Sequence, residues 1–236
     1  MTVTPPEIGR PVFTTPAAAL AAPDLAGLPE DGPLPILLDP EGPIVTRPSD
    51  DPLVPVEHRR IRVLANYWHA GWTNAIPTTW LRASVLTRLV AVADALPARW
   101  GLAIFDAWRP LELQRELYDA CLEYPGLMAL PSQDPATPPP HLTGGAVDLT
   151  LTLDGVPLAP GAGFDDTGPA AGTAACEPEP GPDRHVRRAL FHAMTSEGFV
   201  NFPEEWWHFE HGTRRWGAVR GLEPTLGPAG PPIAAV

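Results

Sequence analysis

The sequence predicts one α+β domain, a small, mostly antiparallel sheet flanked by helices, carried behind an irregular N-terminal arm. Three observations predict it. Three stretches carry apolar residues at helical spacing, the mark of a helix with one buried face. Between them run short segments that alternate polar with apolar side chains or are nearly all apolar, as strands do. Thirteen of the 33 prolines fall within residues 1–55, too densely for a helix to establish itself there. The expected division is an arm over 1–55, a domain over 56–220 and an irregular tail over 221–236. With 236 residues and 44% hydrophobic side chains, the chain can bury a sizeable core.

Taken in order, the arm holds apolar pieces such as Leu34–Leu38 that Pro and Gly interrupt, so a poorly structured or polyproline-like course, packed on the domain in places, is expected. Arg60–Leu64 alternates and reads as a strand. Thr78 or Thr79 stands where it would N-cap a helix from Trp80 to about Leu96, with Leu81, Val85, Leu89 and Val92 along one face. Arg99–Phe105 is nearly all apolar, typical of a buried central strand, and it leads into Asp106-Ala-Trp-Arg-Pro110. That proline opens a helix over Leu111–Leu122. Pro138–Pro140 stiffen the approach to His141, and Gly145–Leu153 reads as a strand. Residues 154–183 form a long loop, a feature that in compact domains is usually functional or disordered. A helix over Arg184–Glu197 stops at Gly198. Phe199–Phe202 and Trp206–Glu210 complete the set as short strands.

Charge narrows the partners. The formal net charge is -12, and all 16 basic residues are arginine. Such a surface argues against nucleic acid and against anionic membranes or wall polymers. No run of 18 apolar residues would span a bilayer, and the first residues lack a charged and then apolar leader. Cys121 and Cys176 are too few for a disulfide framework and form no CxxC pair. Reduced thiols and a cytoplasmic location are the expectation.

The chemistry concentrates in two segments. His141 and Asp148 are seven residues apart, with Gly144-Gly145 between them to let the chain fold back. Glu205-Trp-Trp-His208 follows some sixty residues later. Two imidazoles and a carboxylate form a three-ligand zinc set with a fourth position open, one ion per chain. Glu205, three residues before the last ligand, is placed to act as general base. In a regular strand residues i and i+3 point to opposite faces. Glu205 must therefore leave the strand if it is to share a centre with His208, and Pro203 just upstream favours that. Glu210 and His211 read as rim or surface groups, and His185 and His192 as surface or packing residues of a helix.

His141-x-x-Gly144-x-x-x-Asp148 followed by Glu205-Trp-Trp-His208 resembles the VanX-type zinc D-alanyl-D-alanine dipeptidases. These belong to the M15 peptidases, whose wider superfamily includes D,D-carboxypeptidases and the Hedgehog signalling domain. Phe105-Asp-Ala-Trp-Arg-Pro110 and Gly161-Ala-Gly-Phe-Asp165 match two further family segments, so the likeness covers about Arg60 to His211. The resemblance implies zinc on His141, Asp148 and His208, and Glu205 as the base that passes its proton to the leaving amine. It implies that Arg109 faces the oxyanion, a structural ion pair with Asp106 being the alternative. Asp165 would hold the substrate's ammonium, with Asp166 as competitor, and Tyr67 would contact the substrate. The implied substrate is a small dipeptide such as D-Ala-D-Ala. A carboxypeptidase of the same superfamily and a zinc-stabilised binding domain are the other readings. Pro139 and Thr143 depart from the residues usual in the family.

Overall fold

The computed structural model describes residues 8–9, 11–29, 31–124 and 127–231. The leader stretch 1–7 and the end of the tail, 232–236, lie outside them. The α+β class is as expected. Its axis is β6 (Ala146–Leu153), buried at every position. Along one edge β6 pairs antiparallel with β5 (Trp100–Asp106). Its other edge is shared between two partners. β9 (His208–Glu210) pairs with Ala146–Asp148, and β7 (Val156–Ala159) pairs with Thr152–Leu153. β8 (Val200–Asn201) lies beyond β9.

Most pairings are antiparallel, as expected, but the sheet is mixed, with two parallel pairs the sequence did not indicate. β3 (Ile61–Val63) runs parallel to β5, and β1 (Thr15–Pro16) runs parallel to β7. β3 and β5 are joined by a crossover that contains α2 (Asn66–Ala70) and α3 (Ala83–Ala95), which is what a parallel pairing requires. Apolar periodicity reports burial and carries no information on strand direction.

The helix expected from Trp80 starts instead at Ala83. Trp80–Arg82 is β4, which pairs antiparallel with β2 (Leu53–Pro55). The Thr79 carbonyl accepts from Val56 N–H at 2.9 Å, so local strand pairing overrides the capping signal. β7 occupies part of the stretch expected to be loop. It closes a two-residue hairpin at Asp154-Gly155, both at positive φ, the conformation for which Asp-Gly is suited.

Residues of the arm pack on the domain. Ala17 is fully buried, Leu28 and Val45 nearly so, and a turn of helix, α1 (Ala22–Leu25), lies between the first two. His185 and His192, on α5 (Pro182–Ser196), place Nε2 2.9 Å from the Pro29 carbonyl and 3.0 Å from that of Gly32. The main core takes Val85, Leu89 and Val92 from α3 and Val186, Leu190 and Met194 from α5, each large side chain contributing roughly 1.5–3 kcal/mol. A second cluster joins Ile8 and Tyr67 to Leu113 and Leu117 of α4 (Leu111–Ala120). It lies beside the residues described next.

Candidate active site

Strand register assembles most of the site. Asp148 pairs with Asp106 on one side and His208 on the other, and cross-strand partners share a face. A register shift at Phe105 supplies the bulge that sets Asp106 opposite Asp148. His141 arrives from a short 3₁₀ turn, His141–Thr143, that follows the prolines. Gly144 ends the turn at φ 70°, where a side chain would be strained. Thr143 Oγ donates to the Pro140 carbonyl and accepts from Gly145 N–H, so this departure from the family pattern is used to hold the turn. Arg82 braces the same segment through the Thr143 carbonyl at 2.7 Å.

Three donor atoms converge. His141 Nε2 is 3.3 Å from His208 Nδ1 and 3.3 Å from Asp148 Oδ2. His208 Nδ1 is 2.9 Å from Asp148 Oδ1. Tetrahedral zinc with bonds of about 2.0–2.1 Å would set its ligands about 3.3 Å apart, so this buried His-Asp-His group fits a zinc ion. The outer nitrogens fit too. His141 Nδ1–H donates to the Ala107 carbonyl at 2.7 Å, and His208 Nε2–H donates to Glu210 Oε1 at 2.9 Å. Each ring thus turns a lone pair inward. Burial opposes charge on His208, but its bonds to Asp148 and Glu210 prevail and push its pKa up to about 10. Burial likewise works against the Asp148 carboxylate, and the two imidazoles hold it well below the usual range. The cluster demands positive charge, which a proton meets at one point and a divalent cation meets at all three.

Around it lies a cavity of about 200 Å³ lined by Tyr67, Arg109, Asp165 and Glu205 as well as the three donors. That is smaller than the ~300–1,000 Å³ of pockets for drug-sized ligands. Glu205 lies in the turn before β9, outside the strand, with Oε2 3.9 Å from His208 Nδ1 and a side chain 29% exposed. Burial raises its pKa, toward the range useful to a base. Arg109 is held by Asp106 Oδ2 and by Gln114 Oε1, both at 2.8 Å. Its free edge faces the Tyr67 hydroxyl at 3.4 Å and Asp148 at 3.9 Å. The pairing with Asp106 therefore coexists with a place on the cavity wall. Asp165 stands at φ 57°, and its Oδ2 is buried without a hydrogen-bond partner among the described residues. Burial, then Asp148 and Glu205, push its pKa well up.

All seven residues singled out from the sequence thus line one cavity. Asp166 is exposed and caps its own loop through Gly168 N–H. Glu210 and Gln114 were missed as orienting groups. Glu210, expected at the rim, is fully buried. It accepts from Thr213 Oγ and from Arg215 Nη1, and Arg215 in turn meets Asp39 of the arm at 2.7 Å. His211 stays away from the cluster, against Phe199 and Trp216.

A family model described as D-ala-D-ala dipeptidase, of the M15 peptidases, matches residues 81–217. The chain belongs to this family. The D-alanyl-D-alanine dipeptidase of Synechocystis sp. is 33% identical over 175 residues, spanning 58% of this chain and 70% of the relative. That of Escherichia coli is 38% identical over 111 residues, 46% of this chain and 54% of the relative's length. Among solved structures, the vancomycin-resistance D,D-dipeptidase VanXYg in complex with a D-Ala-D-Ala phosphinate analogue gives a TM-score of 0.37 at 19% identity, over 78% of this chain and 68% of that one.

Proposed function

We propose that the protein is a zinc-dependent dipeptidase that hydrolyses D-alanyl-D-alanine, or a closely related D,D-dipeptide, to free amino acids. Catalysis is assigned to residues 56–220. The observation that carries the reading is the convergence of His141, Asp148 and His208, with Glu205 and Arg109, on one small cavity that also meets Asp165. Zinc held by the first three residues supplies a Lewis acid and lowers the pKa of water to about 7. Glu205 takes the proton of the attacking water and delivers it to the leaving nitrogen as the C–N bond breaks. Arg109, fixed by Asp106 and Gln114, turns its remaining N–H groups toward the negative charge that develops on the carbonyl oxygen. Asp165 accepts the substrate's ammonium, and Tyr67 packs under the Arg109 guanidinium, 5.1 Å from its ring centre. A carboxylate that calls for a free ammonium beside the scissile bond, in a cavity this small, suits a short peptide with a free amino terminus and disfavours interior peptide bonds.

The test is D-Ala-D-Ala hydrolysis by zinc-loaded protein. Glu205→Ala should lower kcat by about 10²–10⁴ and Arg109→Ala by about 10²–10³, both with zinc content unchanged. His141→Ala and His208→Ala should lose zinc. Full activity in Glu205→Ala removes the base assignment. Cleavage of capped or longer peptides with none of free dipeptides moves the reading to a carboxypeptidase.

A further inference from the structure

The N-terminal arm reaches the cavity's anionic end. Ile8 is 3% exposed and packs with Tyr67, Leu113 and Leu117. Its carbonyl accepts from Trp72 Nε1–H at 2.9 Å. The Gly9 carbonyl accepts from Asn66 Nδ2 at 2.8 Å, and the same nitrogen reaches the Pro11 carbonyl at 3.2 Å. These bonds lay the Gly9 backbone directly on Asp165. A Cβ at Gly9 would collide with Asp165 Oδ2 and come within 2.8 Å of Phe164 Cδ1 and 2.9 Å of Asp165 Cβ. The oxygen thus covered is the one that is buried and has no hydrogen-bond partner among the described residues. A buried, unpaired acceptor is costly.

We infer that the arm completes the subsite for the substrate's ammonium group: Ile8–Gly9 seals the rear of Asp165 from water, so that the carboxylate finds its cation only through the cavity. The inference rests on the dipeptidase reading above. Gly9 is a positioning residue in this account, required because only a residue without Cβ lets the backbone approach the carboxylate so closely. An arm removed from this place would admit water to Oδ2, and a carboxylate hydrated from behind attracts an ammonium less strongly, because water raises the dielectric around the pair. Selection for a free amino terminus would then weaken while the metal cluster and Glu205 stayed in place.

Two full-length variants test this, Gly9→Ala and the double variant Asn66→Ala/Trp72→Phe, which removes both side chains that hold the arm's carbonyls. Affinity for free and for N-acetylated D-Ala-D-Ala is measured by calorimetry on zinc-loaded protein that also carries Glu205→Ala to stop turnover, and KM and kcat for the free dipeptide are measured with Glu205 intact. Hydrogen exchange of residues 8–13 reports release of the arm in the double variant. KM for the free dipeptide should rise about tenfold with kcat within about twofold, and the ratio of free to acetylated affinity should fall about tenfold, the worth of one good polar contact. A merely structural arm would lower thermal stability and leave that ratio alone. Faster exchange at residues 8–13 with an unchanged ratio, or wild-type affinity in Gly9→Ala, overturns the inference. Wild-type protein that cleaves no free dipeptide overturns the dipeptidase reading instead, and the affinity ratio still decides the arm.

Discussion

Glu210 touches neither the cavity nor the proposed ion, yet it determines which nitrogen His208 presents. Its carboxylate accepts from Nε2–H and leaves the Nδ1 lone pair facing Asp148 and His141. Partners of this kind tune ligand basicity and ring orientation. Glu210→Gln keeps the size but removes the charge, and zinc affinity should fall about 10–100-fold, read by competition with a chelator, with the fold intact by circular dichroism. The ligands themselves were legible because zinc accepts few donor types and short spacings limit how they can meet. Their orienting neighbours obey no such spacing. One signal was available, since Glu210 is two residues beyond His208 and alternate residues of a strand share a face. Gln114 offered none, because it comes from a helix beyond Arg109 and is recognised only by what it touches.

The loop that carries Asp165 has little regular structure, and an arginine of α5 braces it. Arg187, 3% exposed, donates from Nε to the Pro160 carbonyl at 2.7 Å and from Nη2 to that of Ala170 at 2.6 Å, with Nη1 on Gly172. Arg187→Met would take this donor from the buried Pro160 carbonyl and from the part-buried one of Ala170. A loss of about 3 kcal/mol is expected, measured by denaturant unfolding, together with a higher KM for the dipeptide and faster hydrogen exchange across 161–173. Long elements were readable from the chain. α3, α5, β5 and β6 each run far enough to display a period or an unbroken apolar run. β4, α2 and α6 (Arg214–Arg220) span three to seven residues, too few to show one. The Asp154-Gly155 hairpin is different, since its turn signal stood in the sequence and the loop composition around it masked it.

Across the molecule, prolines and arginines solve one problem together. Each of the 33 prolines lacks an N–H, so irregular stretches present carbonyls without backbone donors. A guanidinium offers five N–H groups in a planar fork. Arg60 spends its side chain on the carbonyls of Asp94, Leu96, Pro97 and Trp100, and Arg82 on those of Asp51, Thr143 and Gly227. The arm is bound into the same body, for β1 adds a strand to the sheet and Ala17 is sealed in the core. Ala17→Leu should therefore cost about 1–3 kcal/mol, and unfolding followed by tryptophan fluorescence and by far-ultraviolet dichroism should shift as one transition. Prolines alone could not reveal this, because they forbid helix without saying what an extended chain will rest on. Finally, His141 and His208 are 67 residues apart in the chain and 3.3 Å apart at their facing nitrogens. An ion gripping both is a clasp on a wide circuit of polypeptide, and each tenfold rise in its free concentration above the dissociation constant adds about 1.4 kcal/mol to the folded state. Zinc supply would then govern how long the protein survives as well as how fast it works.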